Sequence, residues 1–157
     1  MNVADTIRMK RAVREYQDRP LPDEAAIAIL NAGRRSQSSK NGQAWEFIAM
    51  RDRDQLRALS TCGTWAGLLA GAALGVAILT PDPGEKFQFL FDAGQAAAYM
   101  QLAAWELGIG SCPASIYDFD KARVVLGFPA EWHLRIALSF GYPAQADVLV
   151  QPARKGG

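Results

Sequence analysis

One histidine, His133, and two cysteines, Cys62 and Cys112, are all that this chain of 157 residues offers a soft metal. A structural zinc site needs four ligands, mostly Cys and His, so that class is excluded. Two isolated cysteines build no disulfide framework and fit a reducing cytoplasm. Cys112 lies in an apolar stretch and reads as a small core residue rather than a nucleophile. A dominant charge is also missing, since 17 Lys and Arg against 16 Asp and Glu leave a formal net charge of +1. Nucleic-acid binders carry a basic face and a high pI, so no nucleic-acid partner is expected. No membrane-length run is present either. The most apolar stretch, Trp65 to Leu79, is interrupted by Gly67, Gly71 and Gly75, and a span needs about 20 apolar residues. The opening Met1-Asn2-Val3-Ala4-Asp5 lacks the basic-then-apolar order of a secretory leader.

What is present is an ordinary globular composition, with half the residues hydrophobic, in a length that suits one domain over 1–157. Helical spacing and end signals predict helices over Ala4 to Lys10, from Pro22 to about Arg34, over Arg53 to Ser60, Glu85 to Leu107 and Phe119 to Gly127. Gly108 is placed to cap the fourth of these. Alternating apolar residues predict strands over Trp45 to Met50, Gly75 to Thr80 and His133 to Phe140, with a further short strand ending near Tyr117. The longest helix is dense in Ala and Gly, which predicts burial on most of its faces, in the core or at a subunit interface. The order α, α, β, α, β, α, β, α, β implies an α+β fold, a mostly antiparallel sheet flanked by helices in up to three layers.

Two segments carry chemistry. Lys10-Arg11-Ala12-Val13-Arg14 sets three cations within five residues, and a helix end could point all three inward to a phosphate. Taken alone, the segment also fits a solvated basic helix end. Ser38-Ser39-Lys40-Asn41-Gly42-Gln43-Ala44-Trp45 is a run of short polar groups able to donate to a polar ring edge, and alone it fits an ordinary turn. Trp45, Tyr99 and Trp105 read as packing groups. Glu46, Asp92 and Glu106 show no pairing, and His133 reads as a boundary residue. A phosphorylated cofactor with a polar ring would use both segments and would itself do the electronic work. No catalytic acid or base is therefore expected.

These segments stand in order with Asp92-Ala93-Gly94-Gln95, Leu107-Gly108-Ile109-Gly110-Ser111-Cys112, Leu126-Gly127-Phe128-Pro129 and Phe140-Gly141-Tyr142-Pro143. Together they resemble the nitroreductase family of FMN-dependent oxidoreductases. The resemblance implies a three-layer α+β sandwich and a homodimer with FMN at its interface. It also implies hydride transfer from NADH or NADPH through the flavin to a small-molecule acceptor such as a nitroaromatic or quinone. By position it implies that Lys10, Arg11 and Arg14 hold the phosphate and ribityl chain. Ser38, Ser39 and Asn41 would reach the flavin, often that of the partner. Tyr117 and Asp118 would place backbone beside the flavin N5, and Arg154 and Lys155 would return to the phosphate. Ala12 stands where the family often has Ser, and Gln37 and Ala44 where it often has Pro. The stretch 60–75 is short, and the sequence stops at Gly157 where relatives commonly continue as an arm around the partner.

Overall fold

A computed structural model describes residues 1–151. Five α-helices and four β-strands follow one another there as α1 (Val3–Met9), α2 (Asp23–Arg34), β1 (Glu46–Met50), α3 (Arg53–Ser60), β2 (Leu74–Pro81), α4 (Gln88–Glu106), β3 (Gly110–Ser115), α5 (Phe119–Leu126) and β4 (Trp132–Gly141). The element order is the one the sequence predicts, with ends shifted by one to three residues. Short 3-10 turns at Ser39–Asn41, Ala66–Gly71 and Ala146–Leu149 were not anticipated. Local chemistry accounts for the helix ends. Asn2, Asp52 and Asp118 accept hydrogen bonds from the first-turn N–H groups of Asp5, Gln55 and Lys121. Gly108, at φ 73°, follows the end of α4 in the left-handed conformation that a glycine cap supplies.

The sheet is antiparallel throughout, in the order β1-β2-β4-β3. Helices cover both faces, which explains why β2 is buried along nearly its whole length and reads as a continuous apolar run. Leu74, Val76 and Ile78 of β2, with Leu138 and Phe140 of β4, pack under α2 and α4 against Ile29, Met100 and Ala104. Ala77 and Leu79, with Leu134 and Ala137, pack on the opposite face with Leu56, Leu59, Leu69, Ile116 and Ala122 from the α3 and α5 side. The result is three layers. Ile78 pairs with Ile136 but Leu79 pairs with Leu134, so Arg135 is the extra residue of a bulge. That bulge puts Leu134 and Ala137, three apart, on one face.

Helix α4 lies half in the core. It buries one face, through Asp92, Ala96, Met100, Gln101, Ala104 and Trp105, and not most of its surface. The open face and its approach carry Phe87 (77% exposed), Leu90, Phe91 (65%), Gly94, Ala98 and Tyr99. Its small residues thus serve an unpartnered apolar face as much as the core. Tyr99 is half exposed and does not pack inside the chain as the sequence reading had it.

Candidate functional site

The basic segment lies beyond α1, not on it. Lys10 turns out of the helix at φ −59°, ψ 131°, and the chain then runs extended across the end of the sheet. Ala12 bridges Ser111 and Tyr16 bridges Pro143, and Val13 N–H donates to the Ser111 carbonyl at 3.0 Å. Two glycines make room for this. A Cβ on Gly110 would stand 2.7 Å from Val13 Cβ, and one on Gly141 would stand 2.7 Å from the Tyr16 ring. The Tyr16 hydroxyl pins the segment, donating to the Val13 carbonyl at 2.5 Å and lying 2.6 Å from Ser139 Oγ. Burial raises the pKa of that hydroxyl above the usual phenol range.

Extended backbone sends the three cations in different directions, which corrects the expectation of a helix end aiming all three inward. Lys10 Nζ donates to Oε1 of the buried Gln101 on α4 at 2.7 Å, and burial lowers its pKa. The Arg11 guanidinium donates to the Val148 carbonyl at 2.6 Å and to that of Gln151, so it anchors the closing turn. Arg14 is exposed and makes no hydrogen bond or ion pair among the described residues. It lines two neighbouring concavities. One of about 440 Å³ is walled by Thr64, Trp65, Gly67 and Leu68, and the other of about 300 Å³ by Pro143, Ala144, Gln145 and Val148. The Arg11 Nε–H is buried with no acceptor among the described residues. Donors with unfilled valence and one nearby acid, Glu15, suit an anionic group such as a phosphate. Arg154 and Lys155 lie outside the described residues, three and four positions after the carbonyl that Arg11 holds.

The polar loop sits elsewhere on α4. Ser39 N–H donates to Asp92 Oδ2 at 2.8 Å, Ser38 Oγ accepts from Gln43 N–H at 3.0 Å, and Asn41 Oδ1 accepts from Gln43 Nε2 at 3.0 Å. Lys40, Asn41 and Gln43 all have φ near 50°, a left-handed region that non-glycine residues seldom occupy. Asp92 and Gln101, the two anchors on α4, are nine residues apart, about 14 Å along the helix axis. Within one chain the structure therefore does not bring Ser38, Ser39 and Asn41 onto Arg14. The sequence shows Asp92 without its partner, which the structure identifies as the Ser39 N–H. An acid among small residues in a helix, buried as this one is, requires a donor, and the loop supplies it.

Tyr117 and Asp118 lead into α5. Both of their N–H groups donate to the Cys62 carbonyl, at 2.8 and 3.0 Å, and the Asp118 carboxylate caps α5. The main-chain donor expected here for a ring nitrogen is already engaged. Cys62 and Cys112 are both buried, and burial raises both thiol pKa values, so they are core groups. His133 lies inside β4, 3.9 Å from Asp82. Among the described residues no cluster of three or more His, Cys, Asp or Glu could hold a metal, and no helix is long and apolar enough to cross a membrane.

Comparison with known proteins decides the family. The model of the nitroreductase family matches residues 7–62 and 61–142. The chain belongs to the nitroreductase family. This nitroreductase-family oxidoreductase is 31% identical over 144 residues to an Archaeoglobus fulgidus protein provisionally named an NADH dehydrogenase/NAD(P)H nitroreductase, covering 87% of this chain and 83% of that one. It is 22% identical over 163 residues to the iodotyrosine deiodinase of Thermotoga neapolitana, covering 88% and 87%. Among solved structures, an FMN-dependent nitroreductase from Clostridium difficile superposes with a TM-score of 0.84 at 30% identity, covering 91% of this chain and 88% of that one. The three-layer antiparallel fold is thus the family's own.

Proposed function

We propose that the chain is an FMN-dependent oxidoreductase that works as a homodimer, taking hydride from NADH or NADPH and passing it to a nitroaromatic, a quinone or a similar acceptor. The observation that carries this reading is Arg14, an exposed guanidinium with no partner among the described residues, set between two concavities on a segment pinned flat by Tyr16. Arg14 would hold the phosphate bidentately, with Arg11 fixing the closing turn at Val148 and Gln151; the family resemblance adds Arg154 and Lys155 to the same phosphate. Lys10, turned to Gln101, would add positive potential from behind. Bound FMN would supply the hydride chemistry; the protein's part is to bind, orient and keep water away.

The dimer is supported by two features. The loop bearing Ser38, Ser39 and Asn41 is held at the far half of α4 from Lys10, so each chain presents half of what a polar ring and a phosphate require. The open apolar face of α4 adjoins that loop. A second copy laid on this face would carry its loop toward the first copy's basic segment. The buried free thiols fit a cytoplasmic setting.

A visible spectrum of the purified protein, with and without added FMN, tests the proposal. A yellow, stoichiometric flavin complex is expected, and a chain that takes up no FMN refutes it. Arg14→Ala is expected to weaken FMN binding by about tenfold or more, the range for one charge-assisted contact, with an unchanged far-ultraviolet spectrum. Likeness to a deiodinase favours one second reading, reductive dehalogenation on the same flavin. Anaerobic reoxidation of the reduced protein by a nitroaromatic, a quinone and a halophenol in parallel separates the two.

A further inference from the structure

Trp65 is 81% exposed, more than any other aromatic residue among the described ones. Tryptophan is enriched at interfaces, where its broad ring meets a partner or ligand. Trp65 lines the 440 Å³ concavity together with Arg14, Glu15, Thr64 and Leu68. Its position is fixed from below. The Cys62 carbonyl takes the N–H groups of Tyr117 and Asp118, which docks the turn 62–65 on the start of α5. A Cβ on Gly63 would fall 2.1 Å from the Ser115 carbonyl oxygen, so the turn lies tight on β3. The following turn is buried through Ala66 and Leu69, leaving the indole on a rigid base.

We infer that Trp65 is the wall against which the flavin ring lies, with Arg14 as the grip on its phosphate side; this rests on the function proposed above. The concavity couples a cation to a broad flat apolar surface, and FMN couples a dianion to a broad flat ring. Ring-on-indole contact adds to simple burial. Thr64 and Trp65 also have N–H groups with no acceptor among the described residues. The Gly63 N–H likewise has no acceptor among the described residues, so this turn offers three main-chain donors to a ring carbonyl or nitrogen.

The test compares FMN with riboflavin, which lacks the phosphate, by titrating flavin-free protein and reading flavin and tryptophan fluorescence. For Trp65→Ala we expect affinity for both ligands to fall about fivefold to tenfold, and most of the indole quenching seen in the parent to vanish. Trp65→Phe should recover most of the affinity but not the quenching. Arg14→Ala should weaken FMN and leave riboflavin within about twofold. A folded Trp65→Ala protein that binds riboflavin as the parent does, with quenching intact, overturns the assignment while leaving the proposed function standing. A parent that binds neither flavin overturns both.

Discussion

At the scale of single residues, three cations adjacent in sequence do three different jobs. Side-chain identity gave the charge, and the backbone after Met9 decided the direction. Asp92 is the residue whose loss should be felt furthest from its own position. Asp92→Ala leaves the Ser39 N–H without its acceptor and should cost about 1–3 kcal/mol, read as a lower urea midpoint. Asp92→Asn keeps an acceptor and should lose less. The polar loop should loosen in the first variant, which hydrogen exchange at Ser39 reports. The presence of the basic segment and polar loop was plain in the sequence. The division of labour among Lys10, Arg11 and Arg14 was not, because it depends on Gln101 and on the Val148 and Gln151 carbonyls, more than 90 residues away.

At the scale of elements, the nine helices and strands of the described residues could be read from periodicity and end signals. Caps and alternation are local, so they survive in the sequence. The 3-10 turns, the Arg135 bulge and the seat of the 12–16 segment depend on what packs against them. Gly110 illustrates the difference. In the sequence it is one of several glycines after a helix; in the fold it is the space into which Val13 fits. Gly110→Ala should push Val13 and with it the strand that carries Arg14. We expect a loss of about 1–3 kcal/mol, the cost of an overpacked contact, in chemical denaturation. FMN affinity should fall together with stability. A Gly110→Ala protein of parental stability would mean that Val13 yields freely.

At the scale of the whole molecule, the open face of α4 and the alkaline limit both lead to measurements. Phe91→Asp puts a charge in the middle of the apolar face, and sedimentation should show the proposed dimer dissociating, with flavin lost alongside. Cys62, Cys112 and Tyr16 all have folded-state pKa values raised by burial. Their contribution is intact below the unfolded thiol value of about 8.5 and is lost as pH climbs toward the raised ones. Lys10 is lowered and acts the other way, gaining as pH rises toward 10.5. Three groups against one predict a melting temperature that declines above about pH 9. The closing contacts of Arg11 have a temporal consequence. They join residue 11 to residues 148 and 151, and Tyr16 meets Pro143, so the seat of this segment is complete only once the chain beyond β4 has closed over it. Until that closure forms, α4 and β3 alone hold the segment, through Gln101 and Ser111, and the bed for Arg14 lacks one wall.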